Sequence, residues 1–260
     1  SCLAAQPRGD MIFDDSNDDD QQKLGQRWLG NTPLLDIHHP RIRLLAVRLT
    51  QLKYGQRAKA QACFEYVRAL PFGCIGTGTG VPALVVLQLK RGDCHTKSTL
   101  LVALLRSLDI PARLRFVSLH ADFLKGIIDL GDQPVEHCCV EVLLDGRWRA
   151  IDSHVMDLSL AEASRQRLLD ESRSVGYGMH VRGSVDWDGD SDSFTPFVTD
   201  DPQHMPLKDW GVFDDPYQFY SSEPAVRGKL NWASRMKWML GARMVNQRVT
   251  ELRSAAAPGR

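Results

Sequence analysis

Cys94 is the residue around which chemistry can be built. Asp93 is a helix N-cap residue type, Thr99–Leu105 supplies an apolar face, and Asp109-Ile110-Pro111 stops the pattern, so a helix is expected over Asp93–Leu108 with Cys94 in its first turn. Unpaired backbone N–H groups and the positive end of the helix dipole favour a thiolate there. A lone cysteine at a helix start is more often structural, and it is a hairpin further along that singles this one out. Val135–Leu144 and Arg147–Ser153 read as strands joined by Asp145-Gly146, a strong two-residue turn. Counting back from that turn pairs Leu144 with Arg147 and sets Cys139 opposite Asp152 and His137 opposite His154. His137 and Asp152 then become diagonal neighbours on one face of the ladder, where a carboxylate can orient an imidazole. A thiolate to attack a carbonyl, an imidazole to protonate the leaving group and a carboxylate to fix the tautomer make Cys94, His137 and Asp152 the candidate catalytic residues.

The remaining elements must bring the helix start against that hairpin. Helical spacing recurs over Arg41–Arg57 and Lys59–Leu70, and Pro71-Phe72-Gly73-Cys74 then breaks it. The glycines of Gly76–Gly80 lack the order of a phosphate-binding loop and read as a linker. Ala112–Leu119 is a third strand. Beyond Met156 the expectation is a polar helix over Leu158–Ser172, an irregular Asp/Gly/Pro-rich stretch to about Pro224, and a basic helix over Arg227–Arg253. Asp10–Gln22, with six aspartates, suits a solvated acidic arm. The expected organisation is an acidic arm and lead-in over 1–40, a catalytic core over 41–156, and a C-terminal extension over 157–260 packing on the core.

Three segments in order carry a family resemblance. Arg91-Gly92-Asp93-Cys94-His95-Thr96-Lys97-Ser98-Thr99-Leu100-Leu101, with Ala103–Arg113 after it, resembles the nucleophile segment of the transglutaminase-like superfamily. His137-Cys138-Cys139-Val140-Glu141-Val142, then Asp145-Gly146-Arg147-Trp148 and Ile151-Asp152, resemble that family's histidine and aspartate strands. The resemblance spans roughly Leu52 to Val155. It implies a papain-like α+β fold, with the nucleophile helix packed on an antiparallel sheet, and a triad of Cys94, His137 and Asp152. Where the family carries an aromatic residue two positions after the histidine, this sequence has Cys139, which the resemblance places at the substrate groove. For the oxyanion, the Cys94 N–H is one candidate donor, and Gln88 is a second by analogy with papain-like enzymes. Glu141 shares the face of His137, where it would touch substrate or, as the commoner arrangement, pair with Arg113 or Arg115. The implied activity acts on a peptide or amide carbonyl through an acyl-thioester, with hydrolysis expected ahead of amine transfer. A biosynthetic acyltransferase or cyclase with a small or carrier-bound acyl donor, and an inert binding module of the same fold, are the alternatives.

Composition narrows the partners. At 260 residues, 43% hydrophobic and 25% charged, the chain can bury a substantial core without cross-links. Lys plus Arg and Asp plus Glu balance at 32 each, so no overall field argues for nucleic acid. The expected partner is a peptide, protein or small amide substrate, with an acidic protein as a further partner for the basic C-terminal helix. The six cysteines have no zinc-ribbon spacing, and the adjacent Cys138 and Cys139 would make a strained bridge, which favours reduced thiols and a cytoplasmic setting. No run approaches the ~20 apolar residues of a spanning helix. The N-terminus lacks the order of a secretory signal, and Met11 is an equally good natural start. Neither a metal nor a cofactor is expected. Cys94 and His95 point different ways on a helix, which disfavours a site shared with His154, and the alternating Asp186, Asp188, Asp190 and Asp192 lack the glycine and glutamate placement of a calcium loop.

Overall fold

The computed structural model describes residues 25–76, 80–227 and 232–256. The acidic arm over Asp10–Gln22 and most of the Gly76–Gly80 linker lie outside them. The lead-in helices are α1 (Pro40–Thr50), α2 (Gly55–Ala69) and α3 (Ala83–Leu89), after a helical turn at 25–27. The first ends at Thr50 rather than continuing to Arg57. Gly55 takes φ 77° at the start of α2, a left-handed step that redirects the chain after the turn at 51–54.

Helix α4 (Cys94–Arg106) is the centre of the molecule, and its side chains from His95 to Arg106 are all buried. Its start is fixed by a reciprocal cap, in which Thr96 N–H donates to Asp93 Oδ1 at 3.0 Å and Asp93 N–H donates to Thr96 Oγ1 at 2.8 Å. Its end is set by Asp109, at φ 58°, ahead of Pro111. Gly92 sits beside this cap for a steric reason: a Cβ there would fall 2.5 Å from Thr96 Oγ1.

The helix packs on a four-stranded antiparallel sheet of order β3-β2-β1-β6, formed by β1 (Ala112–Leu119), β2 (Val135–Leu144), β3 (Arg147–Ile151) and β6 (Lys208–Phe213). Asp145 and Gly146 both have positive φ, 50° and 74°, which is the twist a two-residue hairpin requires, and Leu144 pairs with Arg147 as the sequence implies. Leu100, Leu101 and Leu104 of α4 share one apolar core with Leu114, Phe116, Cys138, Val140 and Val142 of the sheet. The sheet's other face carries a buried ionic cluster, where Glu141 accepts from Arg113 at 2.5 Å and from Arg115 Nε. Trp148 caps it, with the Arg113 guanidinium 3.9 Å from its ring centre.

The C-terminal half corrects the sequence reading. After α5 (Leu158–Asp170), the stretch expected to be irregular contains the small pair β4 (Val175–Gly176) and β5 (Met179–His180), then β6 and α6 (Pro216–Ser222). Strand β6 pairs with β1 across a register shift at Phe116/Val117. The short α7 (Pro224–Arg227) and the long α8 (Trp232–Ala256) close the chain. Helix α8 docks on the core: Asn246 bonds both N–H and C=O of Cys74, while Arg253 grips Asp157 and the Phe72 carbonyl oxygen. The aspartates of 186–192 serve as local anchors, since Asp186 pairs with Arg68, Asp190 with Arg57 and Arg149, and Asp192 accepts from Ala150 N–H. Among the described residues, no helix is long and apolar enough to cross a membrane.

Candidate active site

Cys94 opens α4 beside the end of β2, and its N–H is one of the helix-start amides that lack an intrahelical partner. Two imidazoles and a thiol surround its sulfur. His137 Nε2 and Asp152 Oδ2 are 2.8 Å apart, and the His137 ring lies near enough to the Cys94 sulfur for each to shift the protonation of the other. Asp152 lies just past β3, where its Oδ1 accepts Thr195 N–H at 2.7 Å and its own N–H donates to Ser193 O at 3.0 Å. Those anchors come from the C-terminal half, so a distant segment holds the carboxylate that holds the imidazole. Cys138 projects to the other side, with its sulfur 3.1 Å from the Cys94 carbonyl oxygen. His95 Nδ1 stands 3.3 Å from the Cys94 sulfur, and Tyr220 Oη stands 3.1 Å from His95 Nε2.

These contacts set the protonation states. Hydrogen bonding from the Cys138 thiol, opposed by burial and reinforced by His95 and His137, holds the Cys94 thiol well below its ordinary value. Burial works against a charged His137, but its bonds to Asp152 and Cys94 outweigh that and raise it to about 10. Burial pushes Cys138 well above the ordinary thiol value, so it remains a protonated donor beside the thiolate. An activated sulfur, an imidazolium and an orienting carboxylate in this order can carry out nucleophilic acyl transfer.

Residues 43–153 match the Transglutaminase-like superfamily. That transglutaminase-like core contains Cys94, His137 and Asp152, whereas Thr195 and Tyr220 lie beyond it. Two solved structures are similar over about half of the chain. One, described as a candidate cysteine protease from Cytophaga hutchinsonii, has 20% identity over 48% of this chain and 40% of its own, with a TM-score of 0.40. The other, described as a candidate protease from Parabacteroides distasonis, has 16% identity over 51% of this chain and 26% of its own, with a TM-score of 0.34. The chain thus spans less than half the length of either. No curated protein matches it.

Other residues singled out in the sequence fall elsewhere. Gln88 is exposed near the end of α3 and makes no side-chain hydrogen bond, so nothing aims its amide at the sulfur. Cys139 is buried, with its sulfur 3.8 Å from the Arg115 carbonyl oxygen. Glu141 is committed to its two arginines rather than to substrate. His154 turns away to bond Ser98 Oγ at 2.9 Å through Nε2. His180, Asp201 and His204 gather on the C-terminal half. There the Arg182 N–H donates to His180 Nδ1 at 3.0 Å, which puts the proton on Nε2, facing Asp201 as a hydrogen-bond donor rather than a metal ligand. Sequence reasoning passed over Cys138, Tyr220 and residues 193–195 as parts of the site. Tyr220 and 193–195 are separated from Cys94 by too much chain to leave a local signal.

Proposed function

We propose that the chain is a cysteine enzyme that hydrolyses a peptide or amide bond through an acyl-thioester on Cys94. The row Asp152–His137–Cys94, with its thiol drawn down and its imidazole drawn up, carries this reading. The Cys94 sulfur attacks the carbonyl carbon, and the developing oxyanion is received by the Cys94 N–H at the helix start. His137 gives its proton to the departing amine as the C–N bond breaks. Water then attacks the thioester, His137 takes its proton, and the C–S bond breaks with its electron pair returning to sulfur. In this reading residues 41–156 form the catalytic core, and 157–260 form an extension that packs on it and supplies the anchors of Asp152.

Intact-mass measurement on protein mixed with peptide anilides and small carboxamides tests the assignment. An acyl adduct on Cys94 that is absent from Cys94→Ser is expected, and added amine should leave the free acid as the main product. Cys63 and Cys74 provide internal controls, because burial raises the first to about 12 and the second well above the usual thiol value. No adduct, together with alkylation of Cys94 no faster than of these two, would sink the proposal.

A further inference from the structure

The second imidazole at the sulfur is unused by the steps above, and its surroundings are too specific for a filler. His95 is buried, and its ring is held between Phe116 and Tyr220, each with its centroid 5.7 Å away. Its two nitrogens have one partner each: Nδ1 faces the Cys94 sulfur at 3.3 Å, and Nε2 faces the Tyr220 hydroxyl at 3.1 Å. Burial, with Glu136 and Cys94 nearby, pushes the Tyr220 phenol well above its ordinary value, so the hydroxyl keeps its hydrogen. A phenol donating to Nε2 leaves the ring proton on Nδ1, where it points at sulfur. His95 can therefore donate to a thiolate without itself becoming charged.

This matters because His137 is not a constant donor. It gives its proton to the leaving amine and regains one only from the attacking water, beside whose oxygen it is then engaged. A donor that stays on the sulfur through both halves of the reaction must come from elsewhere. We propose that His95 is a second catalytic imidazole, donating Nδ1–H to the Cys94 sulfur as nucleophile and as leaving group, and that Tyr220 is the positioning residue that fixes its tautomer. This rests on the acyl-transfer reading and gives the C-terminal extension a place in the chemistry. Tyr220 is delivered by α6, whose start is capped by Asp215 and whose Phe219 stacks on Phe116 at 4.0 Å between ring centres.

The pH dependence of Cys94 alkylation by iodoacetamide, read by mass spectrometry, tests the proposal without a substrate. The groups that set it are Asp93 at the cap of α4, His95 on α4, His137 and Cys138 on β2, and Tyr220 on α6. Tyr220→Phe keeps the packed ring and removes only the donor. Its alkylation midpoint should rise by roughly half to one pH unit, a threefold to tenfold loss of thiolate below the wild-type midpoint. His95→Ala should shift at least as far. His95→Asn, which keeps an N–H near the Nδ1 position, should move the midpoint back toward wild type. Unchanged thermal midpoints in Tyr220→Phe and His95→Asn would exclude a general loosening. Should Tyr220→Phe and His95→Ala both stay within about 0.2 pH unit of wild type, His95 is packing alone and the inference falls. A wild-type midpoint at the ordinary thiol value of 9.0 would instead defeat the acyl-transfer reading itself.

Discussion

Asp157→Asn isolates the clamp between the C-terminal helix and the core. Asp157 is a nearly buried carboxylate that caps α5 through Leu160 N–H at 3.1 Å, accepts Phe72 N–H at 2.8 Å, and is gripped by Arg253. Burial alone would raise it, but the Arg253, Ser159 and Phe72 hydrogen bonds overcome that and lower it from 3.8 to about 2. That depression is worth about 2.4 kcal/mol of folding free energy at neutral pH. The sign follows from linkage: a carboxylate with a lower value in the folded state stabilises above its unfolded value and loses that contribution as the pH falls through the folded one. At pH 3 the same relation leaves about 1.3 kcal/mol. Asparagine keeps the shape and the helix-capping oxygen but cannot titrate. Urea unfolding of wild type and Asp157→Asn at several pH values between 7 and 3 should show a gap that narrows by about 1 kcal/mol over that range. A gap independent of pH would refute the ionic clamp.

Three further outcomes follow from the site and the sheet. Asp152→Asn can keep its bond from Thr195 N–H only by turning its amide nitrogen toward His137, which forces the wrong tautomer. Activity on a reactive amide should fall by on the order of 10²- to 10⁴-fold, read as kcat/KM, with little change in thermal midpoint. Cys138→Ala removes the strongest influence lowering the Cys94 thiol, so the midpoint of Cys94 alkylation against pH should move up; a midpoint equal to wild type would show that the neighbouring thiol is inert. Glu141→Leu takes the shared buried carboxylate from Arg113 and Arg115, leaving Arg115 with Asp209, and should cost about 3 kcal/mol in denaturant unfolding, whereas a cost under about 1 kcal/mol would contradict the described cluster.

What the sequence disclosed was whatever is written locally. Asp93 and Thr96 cap their own helix three residues apart, and Asp145-Gly146 sets the register that pairs Leu144 with Arg147. The hairpin register is short-range arithmetic and describes the five pairs from Leu144–Arg147 to Val140–Ile151, but the strand stops at Ile151 rather than Ser153, so Asp152 meets His137 from beyond the ladder. Gln88 and Cys139 were reached by analogy of position rather than by a local signal; the first is exposed and the second buried. Strand β6 escaped because Lys208-Asp209-Trp210-Gly211-Val212-Phe213 has no clean alternation: it is an edge strand, half-exposed and interrupted by Gly211 at φ 88°, so its hydrogen bonds rather than its hydrophobicity place it. Tyr220 depends on α6 docking through Phe219, a contact with a residue more than a hundred positions earlier that no periodicity encodes.

The sheet order has a consequence for the making of the protein. Strands β1, β2 and β3 leave the ribosome together as a meander, but the outer edge of β1 is completed only by β6, which follows β3 by more than fifty residues. Until that strand emerges, the nascent core presents an unpaired edge flanked by Leu114, Phe116 and Leu119, a template for pairing with another chain. Strand β6 covers that edge, and a fragment ending near residue 156 would leave it open.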